Sequence, residues 1–562
     1  MRRFYKQAFR RDLALAALAV APDWPPVEAE PKLLSRALRA AWDQGDAPAV
    51  ISLGRRLFQA GALEGVDAAR CRRCLLELGL FAEALAQMEA GGALPDAERS
   101  RQFALALAGV GRRDDALAVL QQAGREGQTS ERLAGLEQVL AGEPDVSRIG
   151  RALELGLTGV AVDDLCALFG SNPPRDEDAL VEALDLVRAA LRSADPSQGE
   201  RLLRVLEPLY ASDGDRAAWR AVRAVLEGGE DDETQMQARP EEPVRHRLAY
   251  ILAAACAAHR AWPAAIRRFG RAVASLPRQD EHFHELARCV EADLRAHVPL
   301  TLAPTGARRR IIDVSPFNGE FTLLEIKLNE MADWVDVFVI CESRHTYTGR
   351  PKPLHFAEGR ERFAAFAHKI VHVVLDETPP YASEAWAREL YQRASAATAL
   401  SGLVAPDDLV MMSDTDEVLD RACVEGFEGL YASCGLRTFC HFLNFRLLEP
   451  TKQGAKSCLI QGRFVLGAGT ALTRLGLGAL VGEIIPDAGW HFTSVLSAED
   501  LKIKLDSYSH EDWAGSTVAQ QDRLLSSIRN GREIPGYLRQ PIDDSFPRYV
   551  REQRKALAQF IL

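Results

Sequence analysis

Apolar residues recur at helical spacing through about the first 300 residues of this chain. Residues 101–123, RQFALALAGVGRRDDALAVLQQA, are typical, because their leucines and alanines lie mostly three or four positions apart. This spacing places the apolar side chains on one face of a helix. Since strand-like runs are rare in this part of the chain, the pattern predicts an all-α N-terminal region.

A weak internal repeat runs through the helical region. Residues 110–120 align with residues 78–88 at a period of 32, which matches Gly111 to Gly79. Residues 44–53 align with the segment that begins at residue 78, at a period of 34. Glycine at this position permits a tight turn between paired helices. Periods of this length are typical of helix-turn-helix repeats, so we predict a solenoid that resembles tetratricopeptide repeats (TPR-like).

The pattern changes near residue 309. Short β-rich runs such as IIDVSPF and VFVICES alternate from here with helical segments such as EFTLLEIKLNEMA. The alternation predicts a Rossmann-like α/β fold, in which helices cover both faces of a doubly wound, mostly parallel sheet. We therefore expect three regions: TPR-like helices at 1–230, a further helical repeat or linker at 240–305, and the α/β domain at 306–562.

Composition and charge narrow the classes of partner. The 562 residues have a net charge of −11, which gives no support to broad nucleic-acid binding. The sequence contains no transmembrane segment, since no run approaches the roughly 18 apolar residues that span a bilayer. Ten scattered cysteines are typical of a reducing compartment. We expect a cytoplasmic protein that is at most peripheral to a membrane.

The stretch DDLVMMSDTDEVLD, residues 407–420, contains the strongest candidate chemistry. Its apolar run ends at Asp414, Asp416 and Glu417, three carboxylates that repel one another unless solvent, a basic group or a metal compensates. Two carboxylates one residue apart, a D-x-D motif, can converge on a hard divalent cation that holds a diphosphate. A solvated turn or helix cap is one alternative. The other is a phosphatase of the haloacid-dehalogenase (HAD) type, whose nucleophile motif DTDEV also fits.

Several further segments resemble one family in combination. VFVICES, TGRPKPLHF, WARELYQR, SDTDE, GWHF and a K…SYSH run occur in the order found in glycosyltransferase family 17 (GT17). The resemblance covers roughly residues 311–545, is greatest to bacterial members, and leaves the helical half outside. It implies an inverting β-1,4-N-acetylglucosaminyltransferase with a GT-A-like fold. The implied cofactors are UDP-GlcNAc as the nucleotide-sugar donor and a divalent metal, Mn²⁺ or Mg²⁺.

The resemblance also suggests roles for individual residues. The metal ligands would be drawn from Asp414, Asp416, Glu417 and His491, and Asp416 would take part in catalysis. The residues expected to bind the donor are Glu342, Ser343, Arg388, Arg393 and Lys504.

Each of these positions has a structural alternative. Glu342 could instead cap a helix, and His491 could be a buried structural histidine. The two arginines could form surface ion pairs with Glu384 or Glu389. For Lys352, in the TGRPKPLHF segment, a solvated side chain is favoured over a contact to phosphate.

The acceptor side of the reaction is less defined. Inversion needs a general base that deprotonates the acceptor hydroxyl. Glu511 is the first candidate for it, with Asp487 and Glu449 as alternatives. We expect the acceptor to be a saccharide of a glycan, polysaccharide or glycoprotein. The helical region is expected to bind a protein partner or a second copy, and a catalytically inactive interaction protein is the alternative function.

Overall fold

The structure is a computed structural model, and it divides the chain into two compact units, Met1–His282 and Phe283–Leu562. The residues that it describes are 2–90, 96–171, 173–231, 234, 242–274, 280–448, 455–480, 484–496, 504, 526–528, 530, 532 and 536–562.

The described part of the first unit is helical throughout, with short turns between the helices. Its helices are α1 (Arg2–Val20), α2 (Pro31–Asp43), α3 (Ala47–Gln59), α4 (Gly65–Glu77), α5 (Phe81–Ala90), α6 (Ala97–Gly109), α7 (Arg113–Arg125), α8 (Glu131–Ala141), α9 (Val146–Glu154), α10 (Thr158–Ser171), α11 (Glu177–Ser193), α12 (Pro196–Val205), α13 (Asp213–Leu226), α14 (Pro243–Ala258) and α15 (Trp262–Ala274).

The helix pairs of the first unit follow the spacing of the sequence repeat. Helices α2, α4, α6 and α8 begin 34, 32 and 34 residues apart. The matched glycines Gly79 and Gly111 end α4 and α6 in the left-handed region, with φ of +75° and +85°. The residue after each glycine donates a backbone hydrogen bond to the preceding helix. The Leu80 N–H donates to the carbonyl of Leu75 in the first case. Glycine recurs because it adopts this conformation without steric cost.

The second unit is α/β and contains two sheets. The larger sheet has the strand order β10-β6-β9-β4-β1-β2-β3, in which β3, β2, β1 and β4 are parallel and β9 is antiparallel to both of its neighbours. Its strands are β1 (Ile311–Pro316), β2 (Val337–Ser343), β3 (Ile370–Leu375), β4 (Leu409–Met412), β6 (Tyr431–Gly435), β9 (Ala455–Gln461) and β10 (Ile484–Ile485). The expected parallel arrangement therefore holds for the first four strands, and the sheet as a whole is mixed.

The smaller sheet has the strand order β12-β8-β7-β11-β5. Its strands are β5 (Glu417–Leu419), β7 (Arg437–Cys440), β8 (Phe445–Leu447), β11 (Gly489–Thr493) and β12 (Tyr537–Arg539). Side chains from both sheets meet in one apolar core, which includes Phe338, Met411, Phe439 and Phe492. Because β4 belongs to one sheet and β5 to the other, the acidic motif forms the turn between them.

The second unit also contains α-helices. They are α16 (Asp280–His297), α17 (Phe321–Met331), α18 (His355–Gly359), α19 (Ala385–Leu400), α20 (Arg421–Glu425), α21 (Gly462–Ala468) and α22 (Thr470–Leu480), and a last turn, α23 (Arg548–Glu552), follows β12. No helix among the residues that the structure describes is both long enough and apolar enough to cross a membrane. All ten cysteines are free thiols.

The second unit begins before the change of sequence pattern near residue 309. From Phe283 onward, α16 belongs to this unit. Its buried Glu291 accepts a hydrogen bond from the Ala471 N–H at 2.7 Å, and Asp293 accepts one from the Tyr391 hydroxyl at 2.6 Å. The helix is thus tied to α22 and α19 by polar contacts, which helical periodicity alone does not reveal.

Candidate active site

The candidate site lies where the strand order of the larger sheet changes direction. Strand β1 has β2 on one side and β4 on the other, while the chain proceeds from β1 to β2 to β3 before it returns to β4. Ligands of doubly wound sheets bind in the crevice outside the carboxyl ends of the strands at such a point. Here the crevice is bordered by the segments that follow Pro316 and Met412.

The acidic turn after β4 is held by hydrogen bonds on both sides. The Thr415 hydroxyl donates to the Pro316 carbonyl at 2.5 Å, which ties the turn to the end of β1. The Phe492 N–H donates to the Asp416 carbonyl at 2.8 Å, which ties it to β11 of the other sheet. The position of the carboxylates is thus fixed by both sheets.

A buried lysine, Lys327, connects the acidic turn to strand β1. The Lys327 ammonium, on α17, lies 2.9 Å from Asp313 on β1, and both side chains are completely buried. It also donates to the Ser413 hydroxyl at 2.7 Å and to the Asp414 carbonyl at 3.1 Å. Since a buried ammonium needs acceptors on every side, this lysine fixes the start of the acidic turn relative to β1.

Asp414 is neutralised by two arginines. Its carboxylate accepts a hydrogen bond from Arg393 of α19 at 2.7 Å, and Arg474 of α22 lies 3.6 Å away. Burial would raise the pKa of Asp414, but the charges of Arg393 and Arg474 outweigh burial and hold this pKa well below its ordinary value. The carboxylate is therefore ionised across the physiological range. Arg393 also pairs with Glu389 at 3.0 Å, so it compensates two acidic groups.

Glu417 is anchored inside the protein. Its side chain is 1% exposed and lies 3.0 Å from Arg474. It also accepts hydrogen bonds from the Ser457 hydroxyl at 2.7 Å and from the Asp414 N–H at 2.9 Å. With both oxygens engaged, Glu417 holds the turn in shape.

Asp416 has longer contacts than its neighbours. One carboxylate oxygen lies 3.6 Å from Nε2 of His491, and the other lies 3.3 Å from the Lys504 ammonium. The distance to His491 is too long for a hydrogen bond, so both atoms can accept a further ligand between them. The Nδ1 atom of His491 is also buried without a hydrogen-bond partner among the described residues. Lys504 additionally lies 3.5 Å from Glu320, in the segment after β1.

The remaining residues predicted to bind the donor make contacts within the protein. The completely buried Glu342 accepts from the Phe356 N–H at 3.1 Å and lies 3.2 Å from His372, so it caps α18 and offers no surface to a ligand. Ser343 accepts from the His345 N–H at 3.2 Å. Arg388 donates to the Tyr347 carbonyl at 2.9 Å and thereby holds the loop after β2. The contact of Glu342 with the Phe356 N–H is of the kind given above as its structural alternative.

Carboxylates outnumber permanent cations in the ion-pair network around the turn. Within the described residues, these ion pairs join six carboxylates and four permanent cations. The carboxylates are Asp313, Glu320, Glu389, Asp414, Asp416 and Glu417, and the cations are Lys327, Arg393, Arg474 and Lys504. In this part of the chain, no three His, Cys, Asp or Glu side chains are grouped closely enough to hold a metal without other ligands.

Sequence reasoning missed four members of this network: Lys327, Asp313, Arg474 and Glu320. A signal existed for the first, because Lys327 stands between the buried Leu323 and Met331 at four-residue spacing, where a core residue is expected. Arg474 and Glu320 have no such signal. The base candidates Glu511 and Glu449 lie outside the described residues, and Asp487 lies in the turn before β11.

The comparisons with known proteins concern this same unit. The sequence model of glycosyltransferase family 17 matches residues 285–442, which include Asp414, Asp416 and Glu417. The sequence is 36% identical to the β-1,4-mannosyl-glycoprotein 4-β-N-acetylglucosaminyltransferases of Rattus norvegicus and Homo sapiens over 127 residues. The match covers 21% of this chain, 23% of the Rattus norvegicus protein and 24% of the Homo sapiens protein. The chain thus spans about a quarter of the length of these curated relatives. It carries, at residues 285–442, a domain of glycosyltransferase family 17.

Proposed function

We propose that the second unit is an inverting glycosyltransferase that moves a sugar from a nucleotide donor to a saccharide acceptor. The donor proposed is UDP-GlcNAc, because the relatives that match are named N-acetylglucosaminyltransferases. The main support is the position of Asp414 and Asp416, which lie inside the family match and at the strand-order switch of the sheet. The acceptor is proposed only as a class: a glycan, a polysaccharide or a glycoprotein.

The order of elements supports a GT-A-like domain. Strands β1 to β3 come first with helices between them, and the D-x-D motif follows β4, about a hundred residues after β1 begins. The HAD-like alternative requires its acidic motif on the first strand of the sheet. Since the motif here follows the fourth strand, the phosphatase is the weaker proposal.

A divalent cation, Mn²⁺ or Mg²⁺, fits the residues at the turn. Carboxylates outnumber permanent cations in the network, and the 3.6 Å between Asp416 and Nε2 of His491 is longer than a hydrogen bond. Magnesium-type sites in nucleotide enzymes need only one or two carboxylates, because substrate phosphates and water complete the shell. Asp416 and His491 would contribute ligands from the protein, with Asp414 next to them in the turn, and the cation when bound would neutralise charge on the departing diphosphate.

The side chains of this unit would position the reactants. Arg393 and Arg474 keep Asp414 ionised and fixed, and Glu417 locks both ends of the turn. Lys504 lies between Asp416 and Glu320, where its ammonium could exchange a carboxylate partner for a phosphate oxygen of the donor. Glu511 remains the proposed general base.

The first unit is proposed to act as a binding module. Repeated helix pairs present an extended surface in solenoid proteins, which suits a protein partner or a second copy of the chain. The alternative of an inactive interaction protein has one observation in its favour, because arginines already compensate Asp414. The family match over residues 285–442 favours the enzyme.

Turnover of the donor separates these functions. We expect the purified protein to release UDP from UDP-GlcNAc in the presence of Mn²⁺, faster when a saccharide acceptor is added. An inactive interaction protein releases none, and a phosphatase releases inorganic phosphate from a monoester instead.

A further inference from the structure

Lys352 is a buried cation that the network at the acidic turn does not use. Its side chain is 7% exposed, and its ammonium has no hydrogen-bond partner among the described residues. Burial lowers the pKa of Lys352 below its ordinary value. An ammonium buried without a hydrogen-bonded acceptor is costly, so its retention in this position calls for a ligand.

The backbone around Lys352 fixes where the side chain begins. Residues 344–352 form a hairpin directly after β2, in which the Lys352 N–H donates to the Arg344 carbonyl at 2.8 Å and His345 pairs with Pro351. Arg388 secures the tip of this hairpin through the Tyr347 carbonyl. Lys352 therefore stands at the carboxyl end of β2, on the same edge of the sheet as the acidic turn.

The nearest carboxylate does not satisfy Lys352. Glu342 lies 3.8 Å from the ammonium, beyond hydrogen-bond distance, and its oxygens already accept from the Phe356 N–H. The two charges nevertheless offset each other at this range. A second anion would disturb that balance, whereas a neutral acceptor such as a carbonyl oxygen would complete the ammonium's hydrogen bonding without adding charge.

The position in the sheet indicates which part of a nucleotide would arrive there. Strand β2 is two strands away from β4, since β1 lies between them. Neighbouring strands are about 4.8 Å apart, so the ends of β2 and β4 are separated by about 10 Å. A nucleotide with its diphosphate at the turn after β4 would therefore reach Lys352 with its base if it extended along this edge towards β2.

We propose that Lys352 determines the donor's nucleotide specificity by donating a hydrogen bond to a carbonyl oxygen of the nucleobase. This inference rests on the proposed function, because it requires a nucleotide at this edge of the sheet. Uracil presents two carbonyl oxygens and adenine presents none. Lys352 would therefore favour a uridine nucleotide over an adenosine nucleotide.

Calorimetric titration of the full-length protein with UDP and with ADP, in the presence of Mn²⁺, tests this proposal. We expect the wild type to bind UDP at least about tenfold more tightly than ADP, since a hydrogen bond from a charged donor contributes that much or more. In Lys352→Met the affinity for UDP should fall by about tenfold, while the affinity for ADP stays the same. The loss of discrimination is the diagnostic result.

Lys369→Met is the matched control. The Lys369 ammonium donates to the carbonyls of Ala332 and Val335 at 2.6 and 2.8 Å, just before β3 and therefore at the opposite edge of the sheet. Its removal should lower the melting temperature and leave both nucleotide affinities unchanged. If Lys352→Met does not fold because the Glu342 carboxylate loses its nearby cation, the double variant Glu342→Gln/Lys352→Met removes both charges, still lacks the ammonium donor, and serves the same comparison.

The outcomes distinguish this inference from the proposed function. A Lys352→Met protein that binds UDP as the wild type does would show that the lysine is structural and would overturn the inference alone. An equal loss of UDP and ADP affinity would assign Lys352 to the ribose or phosphates and contradict the base contact. A wild type that binds neither nucleotide would remove the proposed function together with the inference.

Discussion

A single buried lysine shows how the acidic turn is held in place. Lys327 pairs with Asp313 and also reaches Ser413 and the backbone of Asp414. In the sequence, Lys327 looks like an ordinary exposed lysine of a helix. Its neighbours four residues away, Leu323 and Met331, are buried, so Lys327 lies on the buried face of α17. At the scale of single residues, the position of the acidic turn depends on compensating charges that come from distant segments of the chain.

Removal of Lys327 should be strongly destabilising. Lys327→Met leaves the Asp313 carboxylate buried without its partner, and breaking a buried pair in this way costs about 3–5 kcal/mol of unfolding free energy. Urea denaturation followed by circular dichroism measures the loss. The double variant Asp313→Asn/Lys327→Met should recover much of it, and equal losses in the single and double variants would contradict the pairing.

The elements add a second level of constraint, because helix ends are where polar groups of the backbone need partners. Glu291 on α16 accepts from the N–H of Ala471 in the first turn of α22. The same helix α22 presents Arg474 to Asp414 and Glu417. A carboxyl group on α16 therefore helps to position the arginine that neutralises the acidic turn.

The α16–α22 contact should depend on pH. Burial raises the pKa of Glu291 to about 7. At pH values between the ordinary pKa of a glutamate and about 7, the folded protein therefore binds more protons than the unfolded protein. The protonated Glu291 side chain therefore makes its full contribution to the free energy of unfolding at acidic pH, and this contribution is lost as the pH rises towards 7. We expect Glu291→Gln to remove this dependence and to stabilise the protein at pH 8 by up to about 3 kcal/mol. Denaturant titrations at several pH values test this, and parallel pH profiles for both proteins would contradict it.

The turns of the helical unit give a prediction about backbone conformation. Gly111 has φ of +85° with no atom within 4 Å of an added Cβ, so Gly111→Ala would act through the backbone alone. We expect it to destabilise the unit by about 1 kcal/mol. Gly135, in the interior of α8, also has open space but no positive φ. Gly135→Ala should therefore stabilise by about 0.5–1 kcal/mol, and calorimetric unfolding of both variants checks the opposite signs.

On the scale of the whole molecule, sequence pattern indicated the two kinds of architecture but not every contact within them. Helical periodicity and the glycine repeat correspond to helix pairs of matching length, and the alternating pattern corresponds to the parallel strands β1 to β4. The antiparallel β9 and the second sheet were not anticipated, because short strands give little periodic signal. The acidic turn could be found by its sequence, whereas Arg474 could not, since its partnership depends on tertiary folding.

The starting point of the second unit can be tested directly. Because α16 from Phe283 onward belongs to this unit, a fragment of residues 283–562 should fold cooperatively. A fragment of residues 306–562 lacks the partners of Ala471 and Tyr391, so it should unfold at lower denaturant concentration or fail to fold. Equal stability of the two fragments would place α16 outside the unit.

The central claim is that Asp416 serves a donor-bound cation rather than the fold. Its side chain has only long contacts, so Asp416→Ala should fold normally while release of UDP from UDP-GlcNAc with Mn²⁺ falls by more than about a hundredfold. Asp420→Ala is the control, because Asp420 only caps α20 through the Ala422 N–H and should retain activity. The measurement is UDP release by the wild type and both variants under identical conditions: loss in Asp416→Ala alone supports the account, and a fully active Asp416→Ala protein contradicts it.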